Sequence, residues 1–158
     1  MNINVDIEID RSLEVVWKDI CDIEHSAQMI SAITAFKLLE APDDEGSLVG
    51  LKWTETRKVF GKEAEETLWI TDYQPLSYYK TRAQNHGAIY ISTMSVKELG
   101  ENTLLTMSFE SEANSLMVKV VSAVMGIFVK RAMVKMLDKD LHDIKQFVES
   151  NAEEVRRN

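Results

Sequence analysis

The first ten residues alternate apolar and polar side chains with the period of a half-buried β-strand. Isoleucine or valine occupies every second position from Ile3 to Ile9, and asparagine or an acidic residue lies between them. Because successive side chains of a strand point to opposite faces, this pattern predicts a strand with one face in a core. Asp10 or Ser12 can cap a following helix, and a short second helix is expected around residues 24–31.

Residues 34–111 have the pattern of consecutive strands separated by turns. Turns are indicated by the segments APDDEG, FGK, DYQP, QNHG and LGEN, which are rich in turn-forming residues. The predicted strands cover residues 34–40, 48–59, 62–73, 77–85, 88–98 and 103–111. Short turns between consecutive strands make an antiparallel sheet, and helices segregated from that sheet indicate the α+β class.

The C-terminal segment predicts one helix of about 35 residues with two apolar stripes at 100° per residue. One stripe lasts to the end of the helix and consists of Leu116, Val120, Ala123, Ile127, Val134, Leu137, Leu141, Ile144 and Val148. The second stripe covers only the first half and consists of Met117, Val121, Met125, Phe128, Ala132 and Met136. It stops at Lys139, Asp140 and Asp143. The first half of the helix therefore has a further apolar contact, with a cavity, a second subunit or a membrane.

A curved sheet and a straight helix can leave a cavity between them. Seven antiparallel strands twist and curl, whereas a helix of this length is a rod of roughly 52 Å. Where the two diverge, a helix face can be apolar without belonging to a solid core. Glycine and proline are scarce and no linker or repeat stands out, so we expect one domain over residues 1–158, with a frayed tail at 150–158.

Charge and composition narrow the class of partner. The formal net charge of -8 disfavours nucleic acid and anionic bilayers, because both would be repelled at long range. The longest uncharged run of the helix, residues 120–129, is about half of the ~20 residues that span a bilayer. Cys21 is the single cysteine, and no Cys/His set has metal-ligand spacing. No export signal is visible, so the sequence predicts a cytoplasmic protein with no transmembrane segment, metal or cofactor.

The segment VGLKWTETRKVFGKEAEETLWITDYQP, residues 49–75, resembles the central signature of the START-like or SRPBCC (Bet v1-like) superfamily, especially its polyketide cyclase/dehydrase-like branch. The opening IDRSLEVVWKDICDIEHSAQMI and the closing LDKDLHDIKQFVES are similar to that family's first helices and last helix turns. The resemblance implies a helix-grip fold, in which a seven-stranded curved antiparallel sheet wraps a long C-terminal helix around a deep cavity, with two short helices after the first strand. Family members bind sterols, lipids, quinones or polyketides, and some act as cyclases or aromatases.

A tight hairpin at Phe60 and Gly61 would place charged side chains on the concave face of the sheet. Its register pairs Val59 with Lys62, Arg57 with Ala64, Glu55 with Glu66, Trp53 with Leu68 and Leu51 with Ile70. The large apolar pairs should face inward, and then Glu55, Arg57 and Glu66 point the same way. Such a cluster in a partly apolar cavity would have shifted pKa values and could orient a polar ligand head or transfer a proton. The alternative is a solvated ion-pair cluster at the rim of the sheet.

Later strands predict a concave wall of hydroxyl and apolar side chains. The further candidate ligand contacts are Tyr79, Tyr90, Ser92, Met94 and Met107 on strands, and Met117, Val121, Met125 and Phe128 on the helix. A few placed polar groups orient an amphipathic ligand while apolar area supplies affinity, and methionine adapts to varied shapes. The alternative is that these side chains fill a solid core.

Three functions remain open at this point. The first is binding or transport of a lipophilic or amphipathic small molecule in the cavity between sheet and helix. The second is a cyclase or aromatase, in which the charged cluster and a tyrosine would steer enolate and water-loss steps. The third is an interaction module or homodimer that uses the second apolar stripe. The sequence favours the first, and it identifies neither the ligand nor a catalytic residue.

Overall fold

A computed structural model describes the backbone of residues 1–85, 88–113 and 116–157, and the side chains of residues 1–84, 88–111 and 126–151. The chain begins with strand β1 (Asn2–Ile9), helix α1 (Leu13–Cys21), a 3₁₀ turn (Ile23–His25) and helix α2 (Ser26–Met29). The other strands are β2 (Ile33–Glu40), β3 (Lys52–Val59), β4 (Lys62–Gln74), β5 (Tyr78–Asn85), β6 (Ala88–Leu99) and β7 (Asn102–Ala113). The chain then forms the long helix α3 (Leu116–Arg157).

All seven strands belong to one antiparallel sheet in the order β1-β7-β6-β5-β4-β3-β2. Helices α1 and α2 carry the chain from the β1 edge to the β2 edge, and consecutive hairpins then return it to β7, which pairs with β1. The predicted α+β helix-grip architecture is therefore confirmed, including the two short helices after the first strand. Among the helices that the structure describes, none combines the length and the apolar character needed to cross a membrane.

The solid core lies where the C-terminal half of α3 packs over β1 and α1. Leu141, Ile144 and Val148 of α3 are fully buried, as are Ile9 and Val16 of the elements they face. These α3 residues belong to the stripe that the sequence assigned to the core.

Strand β3 and helix α3 differ in extent from the sequence prediction. Strand β3 begins at Lys52 and not at residue 48, because Gly50 has a φ of 88° and Leu51 N–H donates to the Leu48 carbonyl, which makes a turn. Helix α3 has 42 residues, where the sequence predicts about 35. Helix α1 agrees with the prediction, because it begins at Leu13 and the Ser12 hydroxyl accepts a hydrogen bond from the Val15 N–H.

Candidate functional site

A cavity of about 1560 Å³ lies between the concave face of the sheet and helix α3. Alternate residues of β3 to β7 line one side, and α1, α2 and α3 line the other. The predicted contacts that line it are Trp53, Glu55, Arg57, Glu66, Leu68, Tyr79, Tyr90, Ser92, Met94 and Met107. Most of the wall is apolar, so the few polar side chains in it decide which ligand chemistry the cavity favours.

The hairpin between β3 and β4 has the predicted register. Phe60 and Gly61 form its two-residue turn with φ angles of 51° and 76°, the backbone that matches the twist of paired strands. Glu55 lies opposite Glu66, and Trp53 lies opposite Leu68. The hairpin therefore brings all of its predicted site residues to the cavity.

Arg57 links the sheet to helix α3. Its Nη2 donates a hydrogen bond to Oδ2 of Asp140 over 2.7 Å, and its Nε lies 3.0 Å from Oε1 of Glu55. The side chains of Arg57, Glu55 and Asp140 are only 19%, 11% and 3% exposed. This burial argues against a solvated position for Glu55 and Arg57. We call Glu55, Arg57, Glu66 and Asp140 the polar wall of the cavity.

Burial and close charges shift the pKa values of the ion pair. Burial lowers the pKa of Arg57, but Asp140 and Glu55 outweigh it, and the guanidinium stays charged. Burial also raises the pKa of Asp140, and the hydrogen-bonded Arg57 offsets only part of that rise. Glu55 is held on its other oxygen, because Oε2 accepts a hydrogen bond of 3.1 Å from Nε1 of Trp53.

Glu66 is the carboxyl of the polar wall with unused bonding capacity. It is half-buried and lines the cavity, and it makes no ion pair or hydrogen bond with any other residue that the structure describes. Burial raises its pKa, the facing carboxylate of Glu55 raises it further, and Arg57 offsets part of the increase. Glu66 therefore holds its proton to higher pH than an exposed glutamate does, and as a carboxylate it can accept a hydrogen bond from a ligand.

The candidate contacts Tyr79 and Tyr90, and the single cysteine Cys21, lie in surroundings that indicate a structural role. The hydroxyl of buried Tyr79 donates to the carbonyl of Ile20 over 3.1 Å, so it ties β5 to α1, and burial raises its pKa. The rings of Tyr90 and Phe109 stack with centroids 5.8 Å apart. Burial raises the pKa of Cys21 to about 12, which removes the thiolate needed for nucleophilic chemistry.

Helix α3 presents Met136 of the predicted second stripe to the cavity, but not Phe128. Phe128 does not line the cavity and is 70% exposed, and Ile127 of the predicted core stripe is 60% exposed. The helix is rotated about its own axis relative to the predicted orientation. The residues that face the cavity are Gly126, Val129, Lys130, Met133, Met136, Leu137 and Asp140. The predicted contacts Met117, Val121 and Met125 lie outside the described side chains.

Asp140 is the site residue that the sequence analysis missed. The sequence interpretation used Asp140 only as one of the residues that end the second apolar stripe. Its spacing could have indicated that it faces the interior, because it lies three residues after Leu137 and four before Ile144, both on the buried face. An acid on such a face needs a partner, and the buried partner is Arg57.

Comparisons with known proteins agree with this geometry. The family model described as "Polyketide cyclase / dehydrase and lipid transport" matches residues 1–149. No curated protein sequence is significantly similar to this chain.

Solved structures share the fold over nearly the whole chain. A START superfamily protein from Mycobacterium smegmatis is 18% identical with a TM-score of 0.77, covering 94% of this chain and 97% of that one. The ZhuI aromatase/cyclase from Streptomyces sp. R1128 is 14% identical with a TM-score of 0.70, covering 96% and 95% of the two chains. The major latex-like protein 151 from Panax ginseng is 15% identical with a TM-score of 0.73, covering 93% and 96%. At these identities the likeness concerns the fold alone.

Proposed function

The chain belongs to the polyketide cyclase / dehydrase and lipid transport family, and on that premise we propose that it binds or carries a lipophilic or amphipathic small molecule between its sheet and helix α3. The candidates are a lipid, a quinone or a polyketide-like compound. The observation that carries the proposal is the cavity of about 1560 Å³ with its mainly apolar wall. Drug-sized ligands occupy roughly 300–1,000 Å³, so the space suits a long-chain or polycyclic molecule. The cytoplasmic setting stays a prediction.

The size of the space favours a ligand over a solid core. Protein interiors are close-packed, with few voids larger than a water molecule. Methionine side chains are frequent along this wall, and the cavity-lining set includes Met29, Met94, Met107, Met133 and Met136. Flexible thioethers can pack against ligands of different shape. The wall is therefore suited to apolar ligands of more than one shape.

A titration with N-phenyl-1-naphthylamine, a neutral dye that fluoresces in apolar surroundings, tests this function. We expect saturable binding of one dye per chain. Ser92→Trp adds bulk to the cavity wall and should weaken dye binding about tenfold, or about 1.4 kcal/mol. Thr93→Trp is the matched control, because the adjacent side chain of β6 points to the opposite face. The absence of saturable binding, or equal weakening by both substitutions, would contradict the proposal.

A cyclase or aromatase is the second candidate, and Glu66 is the observation that favours it. A carboxyl with a raised pKa that faces a ligand cavity can give and take protons during enolate chemistry. The two functions differ in their response to Glu66→Gln. If a polyketide substrate is turned over, the enzyme should lose kcat with little change in KM, whereas a carrier should lose affinity only.

A further inference from the structure

The polar wall of the cavity carries more negative than positive charge. The carboxyl groups of Glu55, Glu66 and Asp140 accompany a single guanidinium, that of Arg57. The formal charge of this wall is -2 with all four groups ionised, and -1 when Glu66 holds a proton. An excess charge inside a partly buried cavity is weakly screened, so it acts strongly on the head group of a ligand.

Two protein carboxylates already lie against the guanidinium of Arg57. Its Nη2 is hydrogen-bonded to Asp140 at 2.7 Å, and its Nε lies beside Glu55 at 3.0 Å. A ligand carboxylate or phosphate would compete with these protein carboxylates for the guanidinium. If it displaced Asp140, which is only 3% exposed, that carboxylate would become a buried charge without a partner, which costs several kcal/mol.

Among the residues whose side chains are described, two other positive groups line the cavity, those of Met1 and Lys130. The α-amino group of Met1 donates to the Ser111 carbonyl at the β1 edge, four strands from β4, or roughly 19 Å along the sheet. Lys130 precedes Asp140 by ten residues of α3, or about 15 Å along the helix axis. Both residues are exposed to solvent, where salt screens their charge. Neither compensates the polar wall.

A buried hydroxyl in the same lining points independently to a polar ligand group. Ser26 of α2 lines the cavity and is 8% exposed, and its Oγ has no hydrogen-bond partner among the residues that the structure describes. A buried hydroxyl without a partner costs about 1–3 kcal/mol. A ligand with a hydrogen-bonding head group would supply the missing partner, whereas a purely apolar ligand would not.

We propose that the cavity selects an amphiphile whose head group is a protonated amine, bound by the free carboxylate of Glu66 with Glu55 beside it, and that it rejects carboxylate and phosphate heads. This inference rests on the proposed binding function and names its ligand class. An ammonium group is a donor only, and it matches the unused acceptor oxygens of Glu66. The net charge of -8 on the whole chain also attracts cations at long range.

The proposal predicts a pH dependence with a definite sign. The charges that act on Glu66 are those of Glu55 and Arg57 from β3. Asp140 and Lys130 of α3 also line the cavity, and the described side chains of β5 add no charge to the lining. Burial and Glu55 together raise the pKa of Glu66. An amine should therefore bind more tightly as pH rises through that pKa, because Glu66 becomes ionised. An alcohol should respond little, and a carboxylate should bind more weakly as pH rises.

Three probes with the same twelve-carbon chain test the head group, namely dodecylamine, dodecanol and dodecanoate. Each is measured by displacement of N-phenyl-1-naphthylamine at pH 7, below the concentration at which it forms micelles. We expect dodecylamine to bind at least about tenfold more tightly than dodecanoate, which corresponds to about 1.4 kcal/mol. Glu66→Gln should abolish most of that preference while dodecanol affinity is retained. Glu65→Gln removes the same charge from the exposed opposite face of β4 and should change nothing.

The outcomes separate this inference from the proposed function. Equal affinity for the three probes, or tightest binding of dodecanoate, would overturn the amine head while leaving ligand binding intact. Failure of the dye and of every probe to bind would overturn both. Equal loss of dodecylamine binding in Glu66→Gln and Glu65→Gln would assign the preference to the overall charge and would overturn the role of Glu66. Circular dichroism and dye binding establish that each variant is folded.

Discussion

Replacing Arg57 by methionine removes the positive charge that two buried carboxylates share. The side chains of Glu55 and Asp140 are 11% and 3% exposed, and Arg57 contacts both at 3.0 and 2.7 Å. Removing one partner of a buried ion pair costs about 3–5 kcal/mol, because the remaining charge stays buried and unpaired. For a domain of this size, that loss lowers the melting temperature by about 6–20 °C.

The cost of Arg57→Met should fall as the pH falls. Burial already raises the folded-state pKa of Asp140, and loss of the guanidinium raises it further, whereas the unfolded-state pKa is unchanged. The folded variant therefore binds protons more tightly than the unfolded chain. Its stability decreases as pH rises between those two pKa values, so the variant should lose less stability near pH 5 than at pH 7.

Urea unfolding followed by far-ultraviolet circular dichroism measures these free energies. Lys58→Met is the matched control, because Lys58 is the exposed neighbour of Arg57 on the same strand and should change stability by about 0.5 kcal/mol or less. In the Arg57→Met background, Asp140→Asn should recover part of the loss, since it removes the unpaired charge. An equal loss in the free energy of unfolding for Arg57→Met and Lys58→Met, or a loss that does not change with pH, would refute the claim that Arg57 and Asp140 form a buried ion pair.

Three further predictions concern residues outside the polar wall. Phe128→Lys should leave the fold and the dye affinity unchanged, because Phe128 is 70% exposed. Light scattering should detect a weaker dimer in this variant only if this face joins two copies. Unfolding of the variant would contradict the prediction and place Phe128 in the core. Phe60→Asn should raise the free energy of unfolding in urea by about 1 kcal/mol, because asparagine tolerates the φ of 51° better, and a decrease would contradict this. Cys21 should react with a disulfide reagent at pH 8 far more slowly in the folded than in the urea-unfolded protein, since burial raises its pKa to about 12; equal rates would oppose this.

The sheet could be predicted because its signals are local. The period-2 pattern of β1 and the turn at Phe60 and Gly61 each depend on a few adjacent residues. Once the turn is placed, the register follows, and Glu55 lies opposite Glu66 without any knowledge of the rest of the fold. The residues that the strands contribute to the candidate site could therefore be predicted from the alternation of side chains and one hairpin turn.

The helix half of the site could not be predicted in the same way. Helical periodicity gives the angle between side chains but not the rotation of the helix against the sheet, and two apolar stripes allow two rotations. The structure directs Val129 and Met133 to the cavity and leaves Ile127 and Phe128 exposed. Arg57 and Asp140 are 83 positions apart in the sequence, so no local pattern predicts that they form a pair.

The most direct test of the account is native mass spectrometry of the protein purified gently from its own cells. The account predicts one hydrophobic adduct per chain, and extraction of that molecule should identify an amphiphile with an amine head. The same measurement on Ser92→Trp should yield less adduct than on Thr93→Trp. A clean mass of the chain alone, together with failure to take up any added probe, would contradict the claim that the cavity is a ligand site.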